Sequence, residues 1–554
     1  MAIQSIFVTP GFAVARLGSA TAPVDNFHWA DVDEPRYDGE TTIVPDWSLA
    51  VEADASVTPF LPDAVTFRDG ERIRPVAPFF EIWARVGAPG SAPESWQDAP
   101  LTPTLLAAER LSETDLKVAV NASNRKAARR TGNPDVAFGT AQPVVIEGGD
   151  HARKTIEGVS PLGVATPMIP AGRHIPLGSV QMMRTMSQMT AQPWSDAVNI
   201  EVFRFRFWPA SGLFYGPPQA AVADQNNGRP EAAVPLENAF LDEAAGWFNV
   251  ATNELVSPGD TYDVINQNTG TTGPSLGVVD DTCEVHFEVT LSRNAPPALS
   301  ARAVAFVAPP DFAPDRRPFL SVADELNDRT VDWADRNAAM TDEDLDIWIE
   351  DFFERVYETV SLFNVDFYRA LRAAPRPPQT LPPEKLRAAD LDAGQWLQPR
   401  RSMGGRDALR NVLYKISRAT ANNPLPLSEH ARMRHRALSD LQNLEALVGL
   451  DPDRLSAIIR PPFEAEGFEN SNTSSMRMPP FMRQSNALPL TVVGWQYELL
   501  MRWLERTKLK LATQKAMEPM VAAADGVRRK ALSESALQRR TGVLARLAAV
   551  AEHG

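Results

Sequence analysis

One thiol, a scatter of imidazoles and a pair of alternating arginines are the side chains from which this chain would have to build chemistry. The thiol is Cys283, the sole cysteine, within LGVVDDTCEVHFEVTL from Leu276 to Leu291. A cysteine beside a base serves as a nucleophile, and one beside a second soft ligand holds metal. Read with a period of two, Cys283, Val285, Phe287, Val289 and Leu291 fall on one face. Glu284, His286, Glu288, Thr290 and Ser292 fall on the other. The thiol therefore shares the apolar face of a half-buried strand, where a cysteine is a small hydrophobe with a raised pKa. His286 points the opposite way, so a Cys-x-x-His pair cannot close on a metal ion. Cys283 is expected to fill a core.

The histidines, His28, His151, His174, His286, His430, His435 and His553, form no HExxH motif, and no Cys/His cluster or Asp-rich calcium loop accompanies them. No metal site is expected. His430 and Arg434 lie four apart on a predicted helix and read as a solvated face. No GxSxG elbow, P-loop or GxGxxG after a strand occurs, so the usual marks of a serine hydrolase and of a nucleotide-dependent enzyme are missing. In EVFRFRFW, Phe203, Phe205 and Phe207 alternate with Arg204 and Arg206. Two guanidinium groups on one strand face can hold a carboxylate or phosphate. The plainer expectation is an aromatic core face with the arginines paired to neighbouring acids. Met182, Met183, Met186 and Met189 follow helical spacing, an expected core-filling stripe.

The elements that would position these groups divide by composition. From Ile3 to about Ala308 the chain is rich in glycine, proline and short β-favouring runs such as FFEIWARVG, with local helix signals such as PTLLAAERL. After the proline-rich VAPPDFAPDRRPFLS the period becomes helical. Leu345, Trp348, Ile349, Phe352, Phe353, Val356, Val360, Phe363 and Phe367 recur at three- and four-residue intervals. Thr341 is placed to cap that helix, and Asp342, Glu343 and Asp344 suit its positive end. AAPRPPQTLPPEK follows as an exposed connection. Further helices are predicted at SEHARMRHRALSDLQNLEALV, at GWQYELLMRWLERT and near the C-terminus. The expected fold class is α+β. It comprises a β-rich body over 1–308, a Pro-rich connection and long amphipathic helix over 309–375, and a helical part over 376–554 packed on the body.

The 554 residues, 44% hydrophobic and 23% charged, are ordinary for a globular protein of two or three units. No run of about 18 apolar residues is present, so no membrane span is expected. MAIQSIFVTPGFAVARLG lacks a basic segment before its apolar stretch, which Arg16 interrupts, and reads as a first strand rather than a signal peptide. A single cysteine suits a reducing cytoplasm. The net charge of −15 argues against nucleic acid as a partner. Met501 to Gly554 is locally basic, read as a solvated helical face.

Four segments in order resemble the LodA/GoxA family, amino-acid oxidases that build a cysteine tryptophylquinone from their own side chains. FVTPGFAVARLGSA resembles an I-A-R-V-G-x-S strand through Ala15, Arg16, Leu17, Gly18 and Ser19. VVDDTCEVHFEVTL is similar to a D-D-x-S-D-G-P-V strand through Asp280 and Asp281, with Cys283 where serine is usual. VAPPDFAPDRRPFLSVADEL resembles a V-x-P-P-D-F-A-P segment through Pro309, Pro310, Asp311, Phe312, Ala313 and Pro314. MPPFMRQSNALPLTVVGWQYELLMRW is similar to a late M-P segment and a Q-Y-x-L-L-x-x-W helix through Gln496, Tyr497, Leu499, Leu500 and Trp503. In the family the cofactor cysteine lies in the C-terminal part, with a tryptophan in a W-x-W-x-H setting. Here no cysteine follows Cys283, no W-x-W-x-H occurs, and Met476, Met478 and Met482 cannot supply the thioether. No catalytic residue is carried over, and no cofactor is expected. The resemblance implies a LodA-like fold without the quinone: a binding, scaffold or partner protein, self-associating as its relatives do, with a small-molecule or protein partner. One alternative is an enzyme acting on amino-acid or peptide amines by different chemistry, which the acidic charge would attract. The other is a quinone oxidase that crosslinks Cys283 to a tryptophan.

Overall fold

Residues of period-two alternation build the first half of the molecule. In the computed structural model, which describes residues 2–29, 43–187, 192–218, 234–242, 244–245, 278–293, 297–311, 314, 316–330, 332–361, 441–450, 459, 461–462 and 491–516, Glu284–Leu291 is a strand whose odd-numbered residues are buried. It pairs antiparallel with Leu116–Asn124 and with Leu299–Ala308. The Phe12–Arg16 strand adds to the far side of Leu299–Ala308 in parallel. Short strands Phe138–Gly139 and Val144–Glu147 complete that sheet beside Leu116–Asn124.

A second six-stranded sheet runs in the order Ala2–Thr9, Phe79–Gly87, Arg204–Pro209, Ile175–Met182, Lys154–Gly158, with Gln97–Pro100 also on Phe79–Gly87. The two sheets share one core. Phe287 lies 4.9 Å from Phe80, 5.1 Å from Phe205 and 5.9 Å from Phe207 between ring centroids. Val118, Val120, Val285 and Val289 face Ile82, Val180 and Met182 in the same buried cluster. The outer face of the second sheet is covered in turn. Val57, Met183 and Ile200 form a separate cluster there with Leu49, Phe79, Met186 and Trp194. That extra layer buries the Arg204–Pro209 strand on both faces.

The methionine stripe is not helical. Met182 ends the Ile175–Met182 strand opposite Phe205, and Met183 follows it. Successive strand residues point to opposite faces, so Met182 enters the inter-sheet core and Met183 the outer cluster. Met189 lies outside the described residues.

By compactness the chain divides into Met1–Asp31 with Pro35–Asp315, and Val32–Glu34 with Arg316–Gly554. The first unit carries the sheets and two short helices, Pro103–Ala108 and Lys126–Thr131. The second is helical where it is described: Val322–Asp328, Trp333–Ala339, Asp342–Ser361, Leu441–Leu450 and 494–516. Thr341 caps its long helix, its Oγ1 accepting from the Asp344 N–H at 3.1 Å. Leu345, Ile349, Phe352, Phe353 and Val356 pack with Leu444, Leu499, Leu500, Trp503 and Leu504. At the same helix Arg317 binds Asp351 at 2.5 Å and Glu358 at 2.8 Å. The molecule is thus α+β. The stretch from Val360 to Phe367, the proline-rich connection, His430, Arg434 and the helices expected near the C-terminus lie outside the described side chains.

Candidate functional site

The chain enters the Glu284–Leu291 strand through four consecutive buried residues, Asp280, Asp281, Thr282 and Cys283. Three polar residues in a core need partners. Asp280 has Lys126 Nζ at 2.6 Å, and its other carboxylate oxygen takes the Thr282 hydroxyl at 2.5 Å. Its carbonyl accepts from Asn124 Nδ2 at 2.9 Å. Asp281 Oδ2 accepts the backbone N–H groups of Gly212 and Leu213 at 3.0 and 2.9 Å. Gly212 sits at φ +86°, a left-handed turn that only glycine adopts without strain, and this turn aims both N–H groups at the carboxylate. Asp281 Oδ1 is buried with no hydrogen-bond partner among the described residues.

Burial dominates the protonation behaviour of this knot. It lifts the Asp281 carboxyl to about 7, against the two N–H groups that favour the charged form, with Asp280 adding to the rise. Tyr215, whose strand pairs with Val279–Asp280, is pushed to about 12 by burial and by Asp281. The Cys283 thiol is driven far up by burial first and by Asp281 and Asp280 next. Its Sγ donates to the Leu177 carbonyl at 3.4 Å. His286 stands on the opposite, exposed face, 2.7 Å from Glu284. The arrangement offers one carboxyl poised to exchange a proton near neutrality and a sulfur that stays a thiol. Asp281 escaped the reading of the sequence. Its signal was available: extending the period of two back from Cys283 puts Asp281 on the apolar face.

Arg204 and Arg206 do not form a pair. Arg204 is 1% exposed, reaches Glu81 at 2.7 Å and also donates to the Asn199 carbonyl. Arg206 meets no acid at ion-pair distance among the described residues. Its Nε donates to the Ala77 carbonyl at 3.0 Å, and its guanidinium carbon lies 4.2 Å from the Phe79 ring and 4.3 Å from the Trp208 ring. The expected pairing with acids therefore holds for Arg204 and fails for Arg206. The residue brought to Arg206 is Arg153, whose guanidinium carbon is also 4.3 Å from the Trp208 centroid. Burial, then Arg153, presses Arg206 down to about 9 against the pull of Asp25, which leaves it charged at neutral pH.

The other described residues of the resembling segments tie backbone and side chains together. Arg16 reaches the Pro309 carbonyl at 3.2 Å and Asp311 at 3.3 Å, tying two of those segments together. A side chain at Gly18 would meet the Pro75 nitrogen at 2.5 Å. In the second unit Gln496 donates to the Phe319 carbonyl at 3.1 Å, and the Trp503 indole to Asp346 at 2.8 Å. Among the described residues no three His, Cys, Asp or Glu side chains gather as metal ligands would. None of the described helices is long and apolar enough to cross a membrane.

No protein-family model and no curated protein sequence matches the chain. Among solved structures it is similar to the L-Lys epsilon-oxidase from Marinomonas mediterranea, with 16% identity and a TM-score of 0.29. It is similar also to the Schiff base intermediate of that enzyme with L-Lys, with 15% identity and a TM-score of 0.31. Both matches cover 58% of this chain and 39% of the oxidase, so the chain spans well under half of the oxidase's length.

Proposed function

We propose that this chain is a LodA/GoxA-like protein that makes no quinone and works as a non-catalytic binding, scaffold or partner protein. One observation carries the reading: Cys283 is 6% exposed, hydrogen-bonded to Leu177, and held as a thiol by burial and by two neighbouring aspartates. A thioether to an indole needs a sulfur that can reach the ring and shed its proton. This sulfur is committed to the seam between two sheets, so the residues present do not fit the quinone. The assignment to the cytoplasm and to a homo-oligomer rests on the single cysteine and on the motif resemblance respectively. A second reading, an enzyme acting on amino-acid or peptide amines by other chemistry, is favoured by Asp281, a carboxyl that can take and release a proton near pH 7.

Intact mass, a visible absorption spectrum and peroxide assays with lysine and glycine test these readings. The expected results are an unmodified mass, no quinone band and no peroxide. A Cys283 peptide crosslinked to a tryptophan peptide would overturn the reading. Peroxide without a crosslink would transfer support to the amine enzyme.

A further inference from the structure

Arg16, Arg74, Arg85 and Arg204 each reach a carboxylate, respectively Asp311, Asp25, Asp98 and Glu81. Arg153 and Arg206 reach none among the described residues, yet both stack on one indole. We propose that the Arg153–Trp208–Arg206 stack, on the outer face of the second sheet, is a binding site for the oxyanion head, carboxylate or phosphate, of a small organic ligand.

Sheet register builds the stack. Gln181 is opposite Arg206 and Ser179 opposite Trp208, while Lys154 is opposite Val180 on the other side of the same strand. Arg153 thus arrives beside the positions that face Arg206 and Trp208. The segment is tied down there, since Gln181 Nε2 donates to the His151 carbonyl at 3.0 Å and His151 Nδ1 lies 3.2 Å from the Met182 carbonyl. Among the described residues each guanidinium is gripped by its Nε alone, Arg153 on Ser179 Oγ at 2.6 Å and Arg206 on the Ala77 carbonyl at 3.0 Å. The terminal amino groups are left as the fork that matches a carboxylate or phosphate. Each guanidinium carbon lies 4.3 Å from the ring centroid, so the two cannot be farther apart than twice that distance.

A separate observation points to a missing acceptor. Trp208 is nine-tenths buried, and its indole N–H has no hydrogen-bond partner among the described residues. Buried donors normally find an acceptor. Two like charges held against one ring repel, and an anion at the edge of the stack, reached by the terminal amino groups, would offset that repulsion. The nearby acids are engaged elsewhere: Asp25 with Arg74 at 2.8 Å, Asp150 with Lys154 at 2.6 Å. Arg153 is exposed and Arg206 buried, so the stack runs from solvent inward.

The test is calorimetric titration of the full chain with inorganic phosphate and with benzoate, at ionic strength held constant with chloride. The Trp208 indole N–H is followed by NMR and assigned by its loss in Trp208→Phe. Saturable binding of either probe that shifts this resonance is expected, weakened about tenfold or more in Arg153→Gln and partly restored in Arg153→Lys. Arg153 is exposed, so its replacement leaves the fold in place, which circular dichroism would verify. Binding by one probe alone assigns the head group. No saturable binding by either probe, or binding unchanged in Arg153→Gln, would overturn the proposal.

Discussion

The Cys283 thiol and the Leu177 carbonyl meet at 3.4 Å across the two sheets of the first unit, the thiol lying in line with the Glu284–Leu291 strand and the carbonyl within Ile175–Met182. Cys283→Ala removes a small buried group and leaves that carbonyl without its donor. A loss of about 1 kcal/mol in chemical denaturation is expected, with the fold retained. In the native wild type a thiol reagent should react far more slowly than after denaturation. Rapid native labelling would contradict the burial and reopen a role for the sulfur.

Asp281 makes stability depend on pH with a definite sign. Its carboxyl titrates near 7 in the folded chain against 3.8 for the free group. Between those values the folded state holds a proton that the unfolded state has lost. The contribution is full at the acid end and disappears as pH rises through about 7. At about 1.4 kcal/mol per unit, the span is on the order of 4 kcal/mol. Asp281→Asn keeps an oxygen for Gly212 and Leu213 but cannot ionise. Urea midpoints measured near pH 5 and pH 8 should therefore differ less for Asp281→Asn than for wild type; equal differences would refute the assignment.

Glu81→Gln should be costly for the opposite reason. Arg204 is almost wholly buried and depends on Glu81 for its countercharge, with the Asn199 carbonyl as its other partner. Arg204 is then left as a buried charge without its countercharge, even though Glu81 itself is partly exposed, and a loss of about 3 kcal/mol is expected. Adding Arg204→Met in the same chain should recover most of that loss. A double variant as unstable as the single one would show that packing, not charge, sets the cost.

In the helical unit, Glu358 accepts from the Arg317 backbone N–H at 2.7 Å, from its Nε at 3.0 Å and from a terminal nitrogen at 2.8 Å. Glu358→Gln removes the charge at a site with no solvent exposure. Faster amide exchange in the Asp342–Ser361 helix is the expected result, with a local loss of about 3 kcal/mol. Unchanged exchange there would mean that Arg317 does not depend on the Glu358 charge.

What could be read from sequence was whatever alternation or helical period encodes locally. The face of Val285, Phe287, Val289 and Leu291 and the stripe from Leu345 to Val356 needed only near neighbours to declare them. Arg206 needed more. Its burial depends on Phe79 from a neighbouring strand and on Trp208 flanking the guanidinium, and its neighbour Arg153 arrives through the pairing of Lys154 with Val180. No local pattern carries either fact. The methionines misled because a few apolar residues at mixed spacing fit a helix or a strand end equally, and only the pairing of Met182 with Phe205 decides. Asp281 was legible by extending the period of two back from Cys283. Its turn partner Gly212 was not.

The parallel strand Phe12–Arg16 has a consequence in time. Its strand neighbour is Leu299–Ala308, at the far end of the first unit, while Arg16 alone exchanges backbone hydrogen bonds with the early Val76 at 3.1 Å. At a synthesis rate of roughly 5–20 residues per second, the ribosome delivers that neighbour about 15–60 s after the first strand emerges. Until then Val14 and Ala15 have an open edge and no sheet to join. The antiparallel pairing of Ala2–Thr9 with Phe79–Gly87 becomes available much sooner. A newborn chain therefore passes through an interval in which Ala2–Thr9 and Arg16 are anchored while the edge from Phe12 to Ala15 between them stays bare, the state in which a holding chaperone would be most useful.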